Sequence, residues 1–303
     1  MISEAAPAKI NLFLHVGTRR ADGFHPLQSL AVFTGLGDVL EMEAAADLSL
    51  SIQGPFAKAL EGEGDNLVLR AARSLLQDAA VGSARALLTL TKNLPVASGI
   101  GGGSADAAAA LRGLSRLWGA SGNGLHEIAA KLGSDIPVCL DSLAAFMEGR
   151  GEVLRAVQSM PLLPMLLVNP GVPVPTKDVF ATLETRSGVE MTLPGGRFQD
   201  TADLLRFLDA TRNDLEQPAI KLRPVIGEVL AAIAALPGAL LARMSGSGAT
   251  CFGIFADDDC CRRAARIVEQ AQPDWWVAPT FVPEYGIAHE TTGQDIGPSD
   301  TGL

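Results

Sequence analysis

The stretch Pro95-Val96-Ala97-Ser98-Gly99-Ile100-Gly101-Gly102-Gly103-Ser104-Ala105-Asp106 contains four glycines within five residues. Apolar residues at helical spacing follow it: Ala107, Leu111, Leu114 and Trp118. Glycines that lead into a helix typically bind anions, because the backbone can approach a phosphate closely and the first helical N–H groups are unpaired. We therefore predict a phosphate-binding loop. Ser104 is expected either at the helix N-cap or turned toward a phosphate or a metal ion.

Two familiar phosphate loops do not match this stretch. A Walker A loop requires Lys and then Ser or Thr after its last glycine, but Ser104 and Ala105 follow Gly103. A dinucleotide fingerprint requires G-x-G-x-x-G, and its last position is occupied by Ser104. A third kind of phosphate loop is therefore the better hypothesis. The alternative is a flexible linker, which the alanine-rich helix that follows argues against.

Upstream of the loop, residues 9–16 are predicted to form a strand, because Ile10, Leu12, Leu14 and Val16 alternate. The other face would then carry Lys9, Asn11, Phe13 and His15. Lysine beside asparagine is unusual on a core strand. Either the strand ends there and Lys9 reaches solvent, or this face carries chemistry.

Downstream of the loop, Asp135 lies in Gly133-Ser134-Asp135-Ile136-Pro137. A short amphipathic helix is predicted over residues 125–132, and the apolar run 134–140 suggests that a strand follows. At such a junction a carboxylate either completes a turn or cap, or takes part in chemistry.

Further elements are predicted from periodicity and turn residues. Strands are expected within 27–43, with interruptions at Gly35 and Gly37, and over 48–52 and 86–90. A helix capped by Asp65 is expected after that residue. In the second half, helices are expected near 178–183, 203–211 and 226–236. A Gly/Ser loop over 243–250 precedes a strand over 251–255, and its simplest use is a hairpin turn.

The bulk composition excludes several classes of protein. The formal net charge is −10, and runs of Lys or Arg do not exceed two residues, so no nucleic-acid partner is expected. The most apolar stretch, 229–242, is interrupted by Pro237 and Gly238 and is too short to span a membrane. The N-terminus does not look like a signal peptide. The four cysteines form no C-x-x-C motif, which favours free thiols in a reducing cytoplasm.

Three motifs in order resemble the small-molecule kinases of the galactokinase, homoserine kinase, mevalonate kinase and phosphomevalonate kinase superfamily. They are Pro7-Ala8-Lys9-Ile10-Asn11-Leu12, residues 95–105 (hereafter the glycine loop), and Ser245-Gly246-Ser247-Gly248. The resemblance implies an α+β fold of two domains with the active site in the cleft between them. Length and a proline-rich segment at 160–175 are consistent with an ATP-binding domain over 1–158 and a second domain over 159–285. Residues 286–303 are expected to be a disordered tail.

Additional motifs resemble the branch that acts on 4-diphosphocytidyl-2-C-methyl-D-erythritol in non-mevalonate isoprenoid synthesis. They are Arg20-Ala21-Asp22-Gly23-Phe24-His25, Asp65-Asn66-Leu67, Gly133-Ser134-Asp135-Ile136-Pro137, and Pro173-Val174-Pro175-Thr176 with Phe180. This resemblance implies transfer of the γ-phosphoryl group of ATP, with Mg²⁺, to the 2-hydroxyl of that substrate. The whole glycine loop, from Pro95 to Ala105, would bind ATP, and Ser104 is the candidate metal ligand. The alternatives are another kinase of the superfamily, of homoserine or mevalonate type, or a nucleotide-binding protein without catalysis.

The resemblance also implies roles for individual side chains. Asp135 would accept the proton of the hydroxyl, and Lys9 would stabilise the negative charge that develops. The implied substrate contacts are Asn11, Phe24, His25, Thr176 and Phe180. Phe24 and Phe180 would sandwich the cytosine ring and His25 would meet its edge. Phe24 replaces a more common tyrosine, so any hydrogen bond from a phenol is lost. A monomer and a homodimer are equally compatible with the sequence.

Overall fold

The computed structural model describes residues 1–18, 25–62, 65–78, 84–122, 124–183 and 194–286. The strands form two sheets and the helices pack with them, as expected for an α+β fold. Phe24 and the expected tail beyond Gly286 lie outside the described residues. Within the described ranges, no helix is long and apolar enough to cross a membrane.

The first sheet is built around one long strand. Its strands are β1 Ile2–Val16, β2 Leu27–Ala44, β3 Ser49–Gln53, β4 Ala86–Thr91, β5 Ala145–Gly149 and β6 Val153–Ala156. They follow the order β3-β4-β2-β5-β6, and β1 pairs with β2. The predicted interruption of β2 at Gly35 and Gly37 is wrong, because the strand is continuous. Gly37 instead allows the backbone of β1 to come close, since a Cβ there would collide with the carbonyl oxygen of Ala6.

In the part of the chain that the structure describes, the α-helices packed with this sheet are α1 Leu67–Asp78, α2 Gly102–Trp118, α3 Leu125–Leu132 and α4 Ile136–Asp141. The buried alanines of α2 let the helix approach β1 and β2 closely, and they share a core with Phe33, Leu40 and Met42. The predicted cap Asp65 is wrong. Asn66 caps α1, because its Oδ1 accepts a hydrogen bond from the N–H of Val68 at 2.9 Å.

The predicted strand over 134–140 is also wrong, because this segment forms α4. Pro137 occupies the first turn of the helix, where its missing N–H costs no hydrogen bond. The apolar side chains of this short run are buried whether it forms a helix or a strand, so hydrophobicity alone did not distinguish the two.

Among the described residues, the second sheet consists of the antiparallel strands β7 Leu163–Asn169, β8 Ala239–Met244, β9 Cys251–Phe255 and β10 Trp276–Val282, in the order β10-β7-β9-β8. The helices are α5 Thr176–Ala181, α6 Thr201–Asp209, α7 Glu216–Leu222, α8 Val225–Ala234 and α9 Asp258–Ala271. Helices near the predicted positions of α5, α6 and α8 are confirmed, whereas α7 and α9 were not predicted.

A hydrophobic core joins the two sheets. Ile10 and Leu12 of β1 pack in one buried cluster with Met165 of β7 and Phe252 of β9. The division into domains 1–158 and 159–285 stays a prediction, because this cluster contains residues from both sides of it. All four cysteines are free thiols, as expected.

Candidate active site

Lys9 and Asp135 form an ion pair, with 2.7 Å between Nζ and Oδ2. Lys9 lies on β1 with only 4% of its side chain exposed, whereas Asp135 precedes α4 and is 38% exposed. The carboxylate makes no capping hydrogen bond to α4. The structure therefore supports neither purely structural role: Lys9 does not extend into solvent, and the side chain of Asp135 does not cap the helix that follows it.

Two cavities meet beside this pair. The first, called here the acceptor cleft, has a volume of about 900 Å³ and is lined by Lys9, Asn11 and Asp135. The second, called here the nucleotide cavity, has a volume of about 620 Å³ and is lined by most of the glycine loop together with Asn66 and Lys92. Ala97, Gly99 and Gly101 line both cavities.

A bulge in β1 determines which side chains reach the acceptor cleft. The pairing of β1 with β2 shifts by one residue between Asn11 and Phe13. Lys9 and Asn11 line the cleft as predicted, but Leu14 follows them there, while Phe13 packs in the core. The prediction that Phe13 and His15 share the face of Lys9 and Asn11 is wrong, because one inserted residue exchanges the two faces of a strand.

The glycine loop turns sharply into α2. Gly99 and Gly101 have positive φ angles of 77° and 65°, which L side chains rarely adopt. Gly101 is the N-cap, and its carbonyl accepts the first helical hydrogen bond, from the N–H of Ala105 at 2.9 Å. The expectation of Ser104 at the N-cap is wrong, because α2 begins at Gly102. The N–H groups of Gly102, Gly103 and Ser104 thus belong to the first turn, where α-helical geometry supplies no partner.

The glycine loop is hydrogen-bonded to β1 and to the β8–β9 connection. The N–H of Lys9 donates to the carbonyl of Ile100 at 2.9 Å. The hydroxyl of Ser245 donates to the carbonyl of Gly99 at 3.0 Å and accepts from the N–H of Asn11 at 3.1 Å. The Gly/Ser segment 243–250 is therefore a hairpin connection, as its simplest interpretation expected. It also holds the glycine loop in place.

Several predicted substrate contacts line the acceptor cleft. His25, Thr176 and Phe180 do so, in addition to Asn11. The rings of His25 and Phe180 lie 5.8 Å apart between centroids, with an angle of 34° between their planes. The hydroxyls of Thr176 and Ser247 are hydrogen-bonded at 2.8 Å. The structure thus brings the described members of the predicted set together at one cleft.

A buried charge cluster under the glycine loop was missed by sequence reasoning. The ammonium of Lys92 donates to Asp38 and, at 2.8 Å, to Oδ2 of Asp106. Burial raises the pKa of Asp106 to about 7, although the cation of Lys92 opposes this rise. A useful signal was Asp106 itself, a carboxylate within an otherwise apolar run next to the glycines.

Oxygen atoms suited to a hard cation line the nucleotide cavity. They include the hydroxyl of Ser104, and Oδ1 of Asp106 is buried without a hydrogen-bond partner. Groups of three or more His, Cys, Asp or Glu side chains that could hold a metal are absent among the residues that the structure describes. The hydroxyl of Ser104 and Oδ1 of Asp106 are donors that fit Mg²⁺, which commonly takes a few protein oxygens and binds mainly to the phosphates of a nucleotide.

The fold and the site together define a small-molecule kinase. The model of the GHMP kinases N terminal domain matches residues 66–149, and the model of the GHMP kinases C terminal region matches residues 192–274. Kinases of this group use ATP as co-substrate. A crystal structure of a homoserine kinase from Cytophaga hutchinsonii is 19% identical, with a TM-score of 0.69 over 94% of this chain and 95% of that chain. At that identity it supports the fold alone.

Closer relatives narrow the class. The 4-diphosphocytidyl-2-C-methyl-D-erythritol kinase of Granulibacter bethesdensis is 53% identical over 87% of this chain and 88% of that protein. A crystal structure of 4-(cytidine 5'-diphospho)-2C-methyl-D-erythritol kinase is 34% identical, with a TM-score of 0.76 over 93% of this chain and all of that chain. The chain therefore belongs to the 4-diphosphocytidyl-2-C-methyl-D-erythritol kinase family.

Proposed function

We propose that this kinase transfers the γ-phosphoryl group of ATP to the 2-hydroxyl of 4-diphosphocytidyl-2-C-methyl-D-erythritol, in the synthesis of isoprenoid precursors. The observation that carries the proposal is the Lys9–Asp135 pair, which lines the acceptor cleft where it meets the nucleotide cavity. A donor phosphate in one cavity and an acceptor hydroxyl in the other would meet beside this pair.

The glycine loop is suited to bind the triphosphate. Its N–H groups and the N-terminus of α2 provide positive partial charge without a mobile side chain. The contacts with Ser245 and Lys9 fix the loop before ATP binds. Mg²⁺ would be held by the phosphates with Ser104 as the protein ligand, and it would neutralise charge on the transferring group.

Asp135 is suited to accept the proton of the acceptor hydroxyl. Its carboxylate is open enough to the cleft for a hydroxyl to approach, and Lys9 holds it in one orientation. A loose transition state requires proton transfer only late, so a weak base suffices. The ammonium of Lys9 can also stabilise charge on the attacking oxygen or the transferring group.

The cytosine end of the substrate would bind at His25 and Phe180. Nδ1 of His25 lies 3.1 Å from the carbonyl oxygen of Gly17, which can only accept, so in the neutral ring Nδ1 carries the proton and Nε2 is an acceptor. An acceptor at that position suits the exocyclic amine of cytosine. Phe180 offers a ring for stacking, and Phe24 is proposed as the second ring.

Two further assignments accompany the proposed function. The four free thiols favour a reducing compartment, so we place the kinase in the cytoplasm. The two domains would be 1–158 and 159–285. A monomer and a homodimer remain equally compatible with the proposal.

A substrate panel tests the proposed function. ADP release is measured with 4-diphosphocytidyl-2-C-methyl-D-erythritol, homoserine and mevalonate at matched concentrations. We expect turnover with the cytidyl substrate and at most a trace with the other two, because only the first fills both the aromatic end and the reacting end of the cleft. A preference for homoserine or mevalonate would overturn the proposal in favour of another kinase of the superfamily.

A further inference from the structure

The turn between β5 and β6 forms a wall of the acceptor cleft. Gly149 and Gly151 have positive φ angles of 72° and 109°. A Cβ at Gly151 would lie 3.6 Å from the carbonyl oxygen of Ser134 and 3.9 Å from Oδ1 of Asp135. The turn is therefore packed directly against the segment that carries Asp135.

This turn presents Arg150 to the acceptor cleft. The backbone N–H of Arg150 donates to the carboxylate of Glu152, and the N–H of Gly151 donates to the carbonyl of Glu148 at 3.0 Å. The guanidinium lies 4.0 Å from the Glu152 carboxylate, and both side chains are about half exposed. An exposed pair of this kind contributes little stability, so the contact with Glu152 does not prevent the guanidinium from meeting an anionic ligand in the cleft.

A second cation reaches the same cleft from another element. Lys177 belongs to α5, which also carries Phe180, and its exposed side chain lines the cleft. The charge of Lys9 is offset by Asp135. Arg150 and Lys177 thus bring two further cationic side chains, from separate elements, to the lining of the acceptor cleft.

We propose that Arg150 and Lys177 bind the diphosphate of the acceptor substrate and select a nucleoside diphosphate conjugate over an uncharged alcohol of similar size. This inference rests on the proposed function. Arg150 comes from the turn beside Asp135, at the end of the cleft where the hydroxyl would react. Lys177 comes from the helix that carries Phe180, at the end where the cytosine would bind. A guanidinium can bind phosphate oxygens in a bidentate manner, and an ammonium adds a compact charge.

Calorimetric titration with CDP and with cytidine tests the assignment. The wild type is compared with Arg150→Ala, Lys177→Ala and the double variant, with Lys131→Ala as an exposed control on α3. We expect CDP to bind more tightly than cytidine to the wild type. The affinity for CDP should fall roughly tenfold in each single variant and roughly a hundredfold in the double variant. The affinity for cytidine should change less than about twofold, because only charge-assisted contacts to phosphate are lost. Lys131→Ala should match the wild type.

Two outcomes would overturn the proposal, and they are distinguishable. If the variants bind CDP as tightly as the wild type, or if their affinities for CDP and for cytidine fall by equal factors, these cations do not bind the diphosphate. The proposed function is then unaffected. If the wild type binds neither ligand, the cytidyl substrate itself is wrong, and this inference is overturned with it.

Discussion

The ammonium of Lys9 is almost fully buried, and its charge is balanced by one carboxylate that remains partly open to the acceptor cleft. Removing one partner of such a pair leaves the other charge without compensation, which typically costs about 3–5 kcal/mol of stability when both are buried. Part of that cost would be screened here, because Asp135 is partly exposed. A substitution to asparagine is therefore more informative than one to alanine, since an amide oxygen can still accept from Lys9.

His15 gives a prediction for the pH dependence of stability. Burial lowers the pKa of His15 below 6.5; Asp214 opposes this, and Arg212 and Arg243 add to it. Its Nε2 accepts a hydrogen bond from the N–H of Arg212 at 3.3 Å, which the protonated ring cannot do. Because the unfolded chain takes up this proton at a higher pH than the folded protein, the stability that the neutral ring provides is lost as pH falls below 6.5.

The measurement is urea unfolding of the wild type and His15→Gln at about pH 7.5 and about pH 5.5. The wild type should lose more stability than the variant over this interval, by at most about 1.4 kcal/mol for one unit below the ordinary pKa. Equal losses in the two proteins would mean that burial of His15 does not depress its pKa.

At the scale of elements, the glycine loop functions only because other elements fix it. A Cβ at Gly99 would lie 2.5 Å from the carbonyl oxygen of Ser245 and 2.8 Å from the backbone of Gly248. The loop and the β8–β9 connection therefore touch through their backbones, which explains why both are rich in glycine.

Gly99→Ala is expected to separate these two elements. The positive φ alone costs a non-glycine residue about 1–2 kcal/mol, and the collision with Ser245 adds to it. We expect a loss of about 2 kcal/mol in stability and roughly tenfold weaker ATP binding, measured by thermal unfolding and by calorimetry.

Gly103→Ala is the matched control for stability, since its Cβ would make an ordinary 3.5 Å contact with Leu67. It should be at least as stable as the wild type, because alanine favours a helix. A Gly99→Ala protein as stable as Gly103→Ala would contradict the close contact between the loops.

The element scale also shows how far sequence reasoning reaches. The glycine loop and α2 were predictable because glycine and alanine have distinctive local effects. The start of α2 was not, since Gly101 performs as N-cap what was expected of Ser104. The exchange of faces in β1 depends on a bulge against β2, a tertiary feature with no local signature. The Lys92 cluster was missed because Asp38 is distant from Lys92 in sequence. Arg150 was missed because only the fold brings its turn to the cleft.

At the scale of the whole molecule, the two sheets share a core that passes through β1. Leu12 is fully buried in the cluster that includes Met165 and Phe252. A strand that belongs to the first sheet is therefore packed against the second one. The elements around both cavities should consequently unfold together.

Leu12→Ala tests this coupling. A buried Leu→Ala change should cost about 3 kcal/mol, and the loss should appear in both sheets. Fluorescence of Trp118 on α2 and of Trp276 on β10, each observed in a variant that keeps only that tryptophan, should report one shared transition that moves by the same amount. Exposed Leu143→Ala is the control. Two separate transitions would instead favour independent domains.

The most direct test of the account is the turnover of Asp135→Asn with ATP and 4-diphosphocytidyl-2-C-methyl-D-erythritol, measured alongside the affinity for each. Asparagine keeps the contact with Lys9 but cannot take the proton. We predict that kcat falls about 10²–10⁴-fold while both dissociation constants stay within about threefold of the wild type. A variant that turns over at the wild-type rate would contradict the role assigned to the Lys9–Asp135 pair.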